Sequence, residues 1–219
     1  MLSPARRHVM RVQAEESAQL GGSTLRNLSA YNQMLLKLEE DKRQLKRVQS
    51  TMRKAEIKRE LLPYYQPWVA GALKSGKGAQ DDVLMNVMIW RVDAGDFSGA
   101  LDIAEYALKH GLVMPSLYNR QTACAVAEEI ADAMTKNYAA KQPVDVALIQ
   151  RTLEITDVHD MPDQVRAKLH KILAYGLRDN NQPVLAYHHI SQAFLFDKNC
   201  GVKKDMEQLE RIARQANNG

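Results

Sequence analysis

The stretch from residue 31 to residue 62 places an apolar side chain at alternating steps of three and four residues. Eight of the ten positions reached by these steps are apolar, and the exceptions are Asp41 and Arg59. This period is typical of a helix that buries one stripe against another helix. We therefore predict one long helix from about Ser29 to Leu62. At ~1.5 Å per residue it would extend roughly 50 Å, so part of its stripe needs a partner beyond one small core.

The middle of this stripe predicts where copies of the chain meet. A two-helix contact between copies would bury the stripe, so we expect a homo-oligomer held largely by a coiled coil. The residues predicted to form this contact are Leu38, Leu45, Val48 and Met52.

The same stretch carries a dense run of positive charge. Between residues 42 and 59 there are eight Lys and Arg side chains against the single acid Glu56. A helix that needed only solubility would mix its charges, so the run predicts contact with a polyanion such as double-stranded DNA. A solvated helix face that binds nothing is the alternative. With three arginines near the N-terminus, the predicted DNA-binding residues are Arg6, Arg7, Arg11, Lys42, Arg43, Lys46, Arg47, Arg53, Lys54, Lys58 and Arg59.

Charge distribution, cysteine content and hydropathy further limit the kinds of partner and the cellular compartment that suit this chain. Residues 1–60 hold 13 Lys and Arg against 7 Asp and Glu, so the basic character lies in the N-terminal quarter. The two cysteines, Cys124 and Cys200, have neither disulfide-framework nor metal-site spacing. The sequence has no apolar run of membrane-spanning length and no signal-peptide core at its start. We therefore expect that the protein resides in a reducing cytoplasm and has no membrane partner.

Seven prolines punctuate the rest of the chain, and no segment alternates convincingly as a strand does. The predicted fold class is therefore all-α. A first basic helix begins at Ser3 and Pro4 and ends at Gly21–Ser23, and the long helix stops at residues 61–68. Shorter helices are predicted near residues 81–93, 97–109, 116–138, 145–156, 162–178, 183–196 and 202–216.

These shorter helices predict an irregular stack of helical hairpins. The pattern resembles degenerate tetratricopeptide repeats, although no fixed period near 34 residues recurs. We predict a DNA-binding and oligomerisation region at 1–62, a linker at 63–80 and a hairpin domain at 81–219. In the last helix, residues 202, 206 and 209 share an apolar stripe, which closes the final hairpin or binds another protein.

Two patterns suggest enzyme chemistry, and both have simpler explanations. Gly71–Gly78 nearly matches the phosphate-binding P-loop, but Gly78 replaces the required hydroxyl residue and the preceding residues do not suit a buried strand. We therefore interpret residues 74–79 as a flexible loop that leads to the next helix. Asp81 and Asp82 are weak candidates for a catalytic magnesium site. Acids in these positions are also typical of a helix N-terminus, and Asp96 is placed to cap the next helix.

The histidines point to no metal site. His188 and His189 are adjacent and so point to different faces of a helix. Asp157, His159 and Asp160 precede Met161-Pro162, where a turn is the ordinary interpretation. We predict no catalytic residue, metal or cofactor from these patterns.

A longer pattern is more specific than any of these motifs. It includes Pro63, Tyr65, the Pro67-Trp68 pair, Gln80-Asp81-Asp82, Trp90, residues 93–96 and the run from Ala100 to Pro115. In these residues the chain resembles the small terminase subunits of P2-like temperate tailed phages. The similarity reaches back to residues 3–11 and forward to residues 128–130, nearly two-thirds of the chain.

The resemblance implies a subunit that recognises the cohesive-end site of phage DNA, forms a ring-like homo-oligomer and recruits the large ATPase-nuclease subunit in the host cytoplasm. Such families also bear the label of endonuclease subunit, so a magnesium endonuclease using Asp81 and Asp82 is one alternative. A helical adaptor that binds a peptide and no DNA is the other. We expect the contact with the large subunit in residues 202–219. The short N-terminal helix-turn-helix of many other small terminases is absent from the pattern.

Overall fold

The computed structural model describes residues 2–18, 25–116 and 118–217. Within these ranges the chain forms ten α-helices and no strand, which confirms the all-α fold class. The helices are α1 (Pro4–Ser17), α2 (Leu25–Lys46), α3 (Thr51–Ser75), α4 (Asp82–Ala94), α5 (Phe97–His110), α6 (Thr122–Ala139), α7 (Val146–Thr156), α8 (Asp163–Asp179), α9 (Pro183–Phe196) and α10 (Lys203–Asn217). They belong to two compact units, Met1–Thr122 and Ala123–Gly219.

Capping residues and glycines set most helix ends close to their predicted positions. The Ser3 hydroxyl accepts a hydrogen bond from the Arg6 amide at 3.3 Å and caps α1. Gly95 ends α4 with a left-handed φ of 84°, a conformation that favours glycine. α6 begins at Thr122, later than predicted. The turn predicted at residues 21–23 lies outside the described residues.

The stretch predicted as one helix from Ser29 to Leu62 is two helices in the structure. α2 ends at Lys46 and α3 begins at Thr51. Between them Ser50 is extended, and its hydroxyl accepts a hydrogen bond from the Arg53 amide at 3.2 Å. Serine is a preferred N-cap residue, so the side chain provides the signal for this break. The apolar steps continue across it and conceal it in the sequence.

α3 continues past the two prolines that were expected to end a helix. Pro63 and Pro67 both lie inside α3. Each removes a backbone hydrogen bond and destabilises a helix interior by about 3 kcal/mol. Burial offsets this loss because Tyr65 and Trp68, on the inward side of α3, are fully buried. The predicted linker at 63–80 is therefore mostly helical, while the functional division of the chain stays a prediction.

α1 is a packed part of the first unit. A Cβ added to Gly71 of α3 would lie 2.2 Å from the Arg11 carbonyl oxygen and 2.8 Å from the Ala14 Cβ, so only glycine permits this approach. The end of α1 is also held, because the Lys77 amide donates to the Ala18 carbonyl at 2.7 Å. The basic side chains of α1 are thus presented from a fixed helix.

In the second unit, helices α7 to α10 pack in chain order. α8 contacts both α7 and α9, and α9 contacts α10. Gly176 of α8 lets the chain near Val144 approach closely, since an added Cβ would lie 2.9 Å from a Val144 methyl group. Buried residues such as Ile149 and Leu169 form the core. Packing of successive helices agrees with a helical stack, and the likeness to tetratricopeptide repeats stays a prediction.

Candidate nucleic-acid interface

Half of the eight cations between residues 42 and 59 have partners within the chain. The contacts are Lys42 with Glu39 at 3.0 Å, Arg53 with Glu56 at 2.8 Å, Lys58 with Asp93, and Arg59 Nε with the Ala94 carbonyl at 2.8 Å. The last two fasten α3 to the end of α4. Lys58 and Arg59 are therefore structural contacts as well as predicted DNA contacts.

The other four cations surround the break between α2 and α3. We call Arg43, Lys46, Arg47 and Lys54 the basic corner. Three are exposed and Lys54 is half-buried, and none of the four has an ion pair or side-chain hydrogen bond within the described ranges. Because no carboxylate neutralises them there, their positive potential is directed to solvent. The break places these charges around a bend between two helices instead of along the face of one straight helix.

The arginines of α1 form a second basic surface in the same unit. Arg6 and Arg7 make no side-chain contact of this kind in the part of the chain that the structure describes. Arg11 lies 3.1 Å from His8 Nδ1 and 3.9 Å from Glu15. Arg7, His8 and Arg11 line an open groove of about 320 Å³ against α3, with Pro67 at its floor. These side chains suit contacts with phosphate oxygens.

Both polar exceptions in the apolar stripe bind within the chain. Asp41 is 1 % exposed, accepts a hydrogen bond from the Tyr65 hydroxyl at 2.6 Å and pairs with Lys37. Burial, followed by this bond to a carboxylate, raises the pKa of Tyr65 far above its ordinary value. Arg59, the second exception, bonds to Ala94 as described above. The sequence did not predict the bond between Tyr65 and Asp41, because the two residues lie 24 positions apart and belong to no common motif.

The residues predicted to join copies lie in unequal environments. Leu38 and Leu45 are 1 % and 7 % exposed and are therefore covered within their own chain. Val48 is half-buried, and Met52 is 79 % exposed. In this conformation only Met52 of the four presents a large surface to a second copy. The predicted coiled coil between copies stays untested.

Asp81 and Asp82 lie at the N-terminus of α4. Asp81 is buried, and its carboxylate accepts bonds from the Leu84 amide at 2.9 Å and Trp68 Nε1 at 2.7 Å. Burial raises its pKa, although these two bonds act in the opposite direction. Asp82 Oδ1 accepts a bond from Gln80 at 3.0 Å. Capping by Asp81 is confirmed, so its use as a metal ligand would sacrifice a helix cap.

Asp96 confirms the other capping prediction, since its carboxylate accepts a bond from the Gly99 amide at 3.1 Å. Of the segment predicted as a loop, residues 74 and 75 belong to the end of α3, and residues 76–79 form a loop that is held by hydrogen bonds. The Gly78 amide donates to the Tyr106 hydroxyl at 3.0 Å, and Gly78 has a left-handed φ of 83°. Its amides are therefore used within the chain instead of forming a phosphate cradle.

In the second unit, two histidines meet across α8 and α9. His170 Nδ1 lies 2.9 Å from His189 Nδ1, and the rings stack at 5.2 Å. Burial, together with the neighbouring histidines, lowers the pKa of both residues to about 4. His188 is exposed on another face, as its adjacency to His189 predicts. Sequence reasoning missed His170, which lies 19 residues from His189 and belongs to no local motif.

The last helix uses much of its apolar stripe internally. Val202, Leu209 and Ala213 are buried, and α10 packs against α9. Ile212 remains 39 % exposed. The helix thus closes the final hairpin and leaves one large apolar side chain on its outer side.

Neither a cluster of metal ligands nor a membrane-spanning helix occurs among the described residues. Nowhere in residues 2–18, 25–116 and 118–217 do three His, Cys, Asp or Glu side chains converge as a metal site requires. In the same ranges, no helix combines the length and apolar character needed to cross a membrane. Cys124 is buried and Cys200 half-buried, and neither forms a disulfide within the described residues.

Comparison with known proteins agrees with the resemblance seen in the sequence. The family model for the phage small terminase subunit matches residues 35–164. The terminase, endonuclease subunit of Escherichia phage P2 is 51 % identical over 211 residues, which cover 96 % of this chain and 85 % of that protein. The probable terminase, endonuclease subunit of Haemophilus phage HP1 is 26 % identical over 81 % of this chain and 68 % of its own. No solved structure matches the chain. Because the family match covers more than half of its length, the chain belongs to the phage small terminase subunit family.

Proposed function

We propose that this chain is the DNA-recognition subunit of a phage terminase and binds the packaging site of viral double-stranded DNA in the host cytoplasm. Membership of the family supports a role in genome packaging. The observation that carries DNA binding is the basic corner, whose four cations have no carboxylate partner within the described residues. Such cations displace counterions when they contact phosphates, so affinity should fall steeply with salt. Phosphate contacts then position the protein, and base contacts supply a smaller share.

Reversal of the basic corner tests this proposal. The test variant replaces Arg43, Lys46, Arg47 and Lys54 by Glu, and the control replaces four exposed lysines of the second unit by Glu: Lys136, Lys198, Lys203 and Lys204. Both variants change the net charge equally. We expect the corner variant to lose at least about 100-fold in affinity for a duplex and to reduce the salt slope by up to ~3.6, since each of four phosphate contacts contributes ~0.9. Equal losses in both variants would contradict a localised interface.

Recruitment of the large ATPase-nuclease subunit is the second part of the proposal. We place this contact on the outer side of α10, where Ile212 is partly exposed. Deletion of residues 202–219 would also remove buried Val202 and Leu209, so a point substitution is the sharper test. Replacing Ile212 by Asp should abolish pull-down of the large subunit, whereas the same charge at exposed Gln150 of α7 should not. Normal pull-down by the Ile212 variant would place the contact elsewhere.

Self-association into a ring-like homo-oligomer is the third part. Since Leu38 and Leu45 are covered within the chain, we propose that the contact includes the exposed Met52 beside the basic corner. This position would repeat the corner around the ring, which suits DNA wrapped or bent against it. Native mass spectrometry with and without packaging-site DNA measures the stoichiometry. A monomer under both conditions would contradict this part alone.

Nuclease activity is a second candidate function because the names of both relatives contain the words endonuclease subunit. We assign cutting to the large subunit, since Asp81 is buried and committed to capping α4. Magnesium-dependent nicking of supercoiled DNA by the isolated chain tests this assignment. Nicking that disappears when Asp82 is replaced by Asn would support the alternative and overturn the assignment.

A further inference from the structure

A cup of about 260 Å³ lies between α1, α2 and α3 in the first unit. It is separate from the basic corner, and α1 divides it from the open groove lined by Arg7 and Arg11. Its volume lies just below the range of about 300–1,000 Å³ that is typical of pockets for drug-sized molecules. A cup of this size suits one flat ring system better than a larger ligand.

Four polar side chains that line the cup have unused hydrogen-bonding groups. They are the Arg6 guanidinium, the Gln13 and Gln33 amides, and the Tyr64 hydroxyl. Within the described residues none of these groups has a hydrogen-bond or ion-pair partner. Gln33 and Arg6 are exposed at the rim, whereas Gln13 and Tyr64 are half-buried. Their convergence on one cavity leaves two amides able to donate and accept at the same place.

The deeper wall of the cup is apolar and aromatic. Met10 and Met34 are buried, and Trp68 lies beneath them with its Nε1 already bound to Asp81. Lys37 lies 5.5 Å from the centre of the Tyr64 ring, in a cation–π contact. Among the described residues that line the cup, none carries a carboxylate, and Arg6 supplies a positive charge for an anionic ligand.

We propose that the cup binds one unpaired nucleobase at a single-stranded end of the viral DNA. The base lies against Tyr64 and the methionines, Gln13 and Gln33 bond to its polar edge, and Arg6 contacts the adjoining phosphate. A base inside a duplex would first have to be unstacked at a cost of a few kcal/mol, which makes an already unpaired end the preferred ligand. Arg7 and Arg11 on the other flank of α1 continue the path for the backbone. This inference rests on the proposed function, because it assumes that the chain binds DNA.

Matched DNA ends test the cup independently of the basic corner. One duplex carries a single-stranded extension of three thymidines, and the control carries the same extension without bases. Stacking of a base on aromatic residues contributes ~1–3 kcal/mol, which is about 5- to 150-fold in affinity. We expect the thymidine end to bind at least about fivefold more tightly in fluorescence anisotropy, and to change the emission of Trp68.

Two cup variants and one control complete the design. Gln13→Ala with Gln33→Ala removes the amides, and Gln33→Trp fills the mouth from an exposed position that should not disturb folding. In both variants the preference for the thymidine end should fall below about twofold while blunt-duplex binding stays unchanged. Gln150→Ala with Gln208→Ala, at exposed sites of the second unit, should retain the full preference.

The outcomes separate the two proposals. Salt-dependent binding of blunt duplex without any preference for the thymidine end overturns the cup and leaves the proposed function standing. A preference that survives in both cup variants places base binding elsewhere and also overturns it. Failure to bind any DNA overturns the proposed function together with the cup.

Discussion

The basic corner and the contact between α3 and α4 use the same side-chain types for different purposes. Lys58 pairs with Asp93 and Arg59 donates to the Ala94 carbonyl, so both side chains hold α3 against the end of α4. Lys46 and Arg47, one short segment earlier, make no such contact within the described ranges. The difference teaches that a run of positive charge in a sequence contains structural and available cations together. For Lys58 and Arg59 the partners on α4 make this distinction.

The largest contrast is expected in stability, between buried and exposed residues of the apolar stripe at residues 31–62. Replacing Leu45 by Asp buries an unpaired charge in the first unit and should lower the free energy of unfolding by about 3–5 kcal/mol. Replacing the exposed Met52 by Asp should change it by less than about 0.5 kcal/mol. Urea unfolding followed by circular dichroism measures both. Equal stability of the two variants would mean that Leu45 is not core.

The next largest effect is expected at Asp41, a buried polar residue of the same stripe. Its stabilising role depends on Tyr65, a partner 24 residues away. Replacing Asp41 by Ala leaves the buried Tyr65 hydroxyl without an acceptor and should destabilise the protein by about 1–3 kcal/mol. Adding Tyr65→Phe removes the stranded hydroxyl and should recover part of the loss. A double variant whose loss equals the sum of the single losses would contradict a direct interaction.

The sequence supports the all-α fold and most helix positions because apolar period, Ser3, Gly95 and Asp96 act locally. It does not reveal the break at Ser50, since the apolar steps continue across it. It also misplaces the end of α3, because burial of Trp68 outweighs two prolines. Local patterns therefore predict where helices form, and long-range burial decides where they stop.

The candidate site also depends on long-range contacts that local sequence patterns do not reveal. The sequence identifies all the cations of the basic corner by type and position, but it does not distinguish them from their structural neighbours. No sequence pattern identifies the cup residues Gln13, Gln33 and Tyr64. Glutamine and tyrosine are common residues, and these three lie far apart in the chain. Packing of α1, α2 and α3 alone brings them to one cavity.

Structural and available cations should separate in paired measurements. Replacing Arg59 by Gln removes its bond to the Ala94 carbonyl and should lower stability by about 1 kcal/mol, with less than twofold loss of DNA affinity. Replacing Arg47 by Gln should leave stability unchanged and weaken duplex binding about threefold, with a salt slope smaller by ~1. The comparison would be overturned if the Arg59 variant lost DNA affinity and the Arg47 variant lost stability.

Arg53 allows the finest test, because it belongs to the same exposed bend yet has two carboxylate neighbours. Its guanidinium lies 2.8 Å from Glu56 and 3.8 Å from Glu60, and the bond to Glu56 raises its pKa. These acids offset its charge, so Arg53→Gln alone should change DNA affinity by less than about twofold. Replacing Glu56 and Glu60 by Gln should free the cation and strengthen duplex binding about two- to fourfold at low salt, an increase that high salt removes. An unchanged affinity in the double-glutamine variant would show that DNA does not approach this turn of α3, and would confine the interface to the four residues of the basic corner and α1.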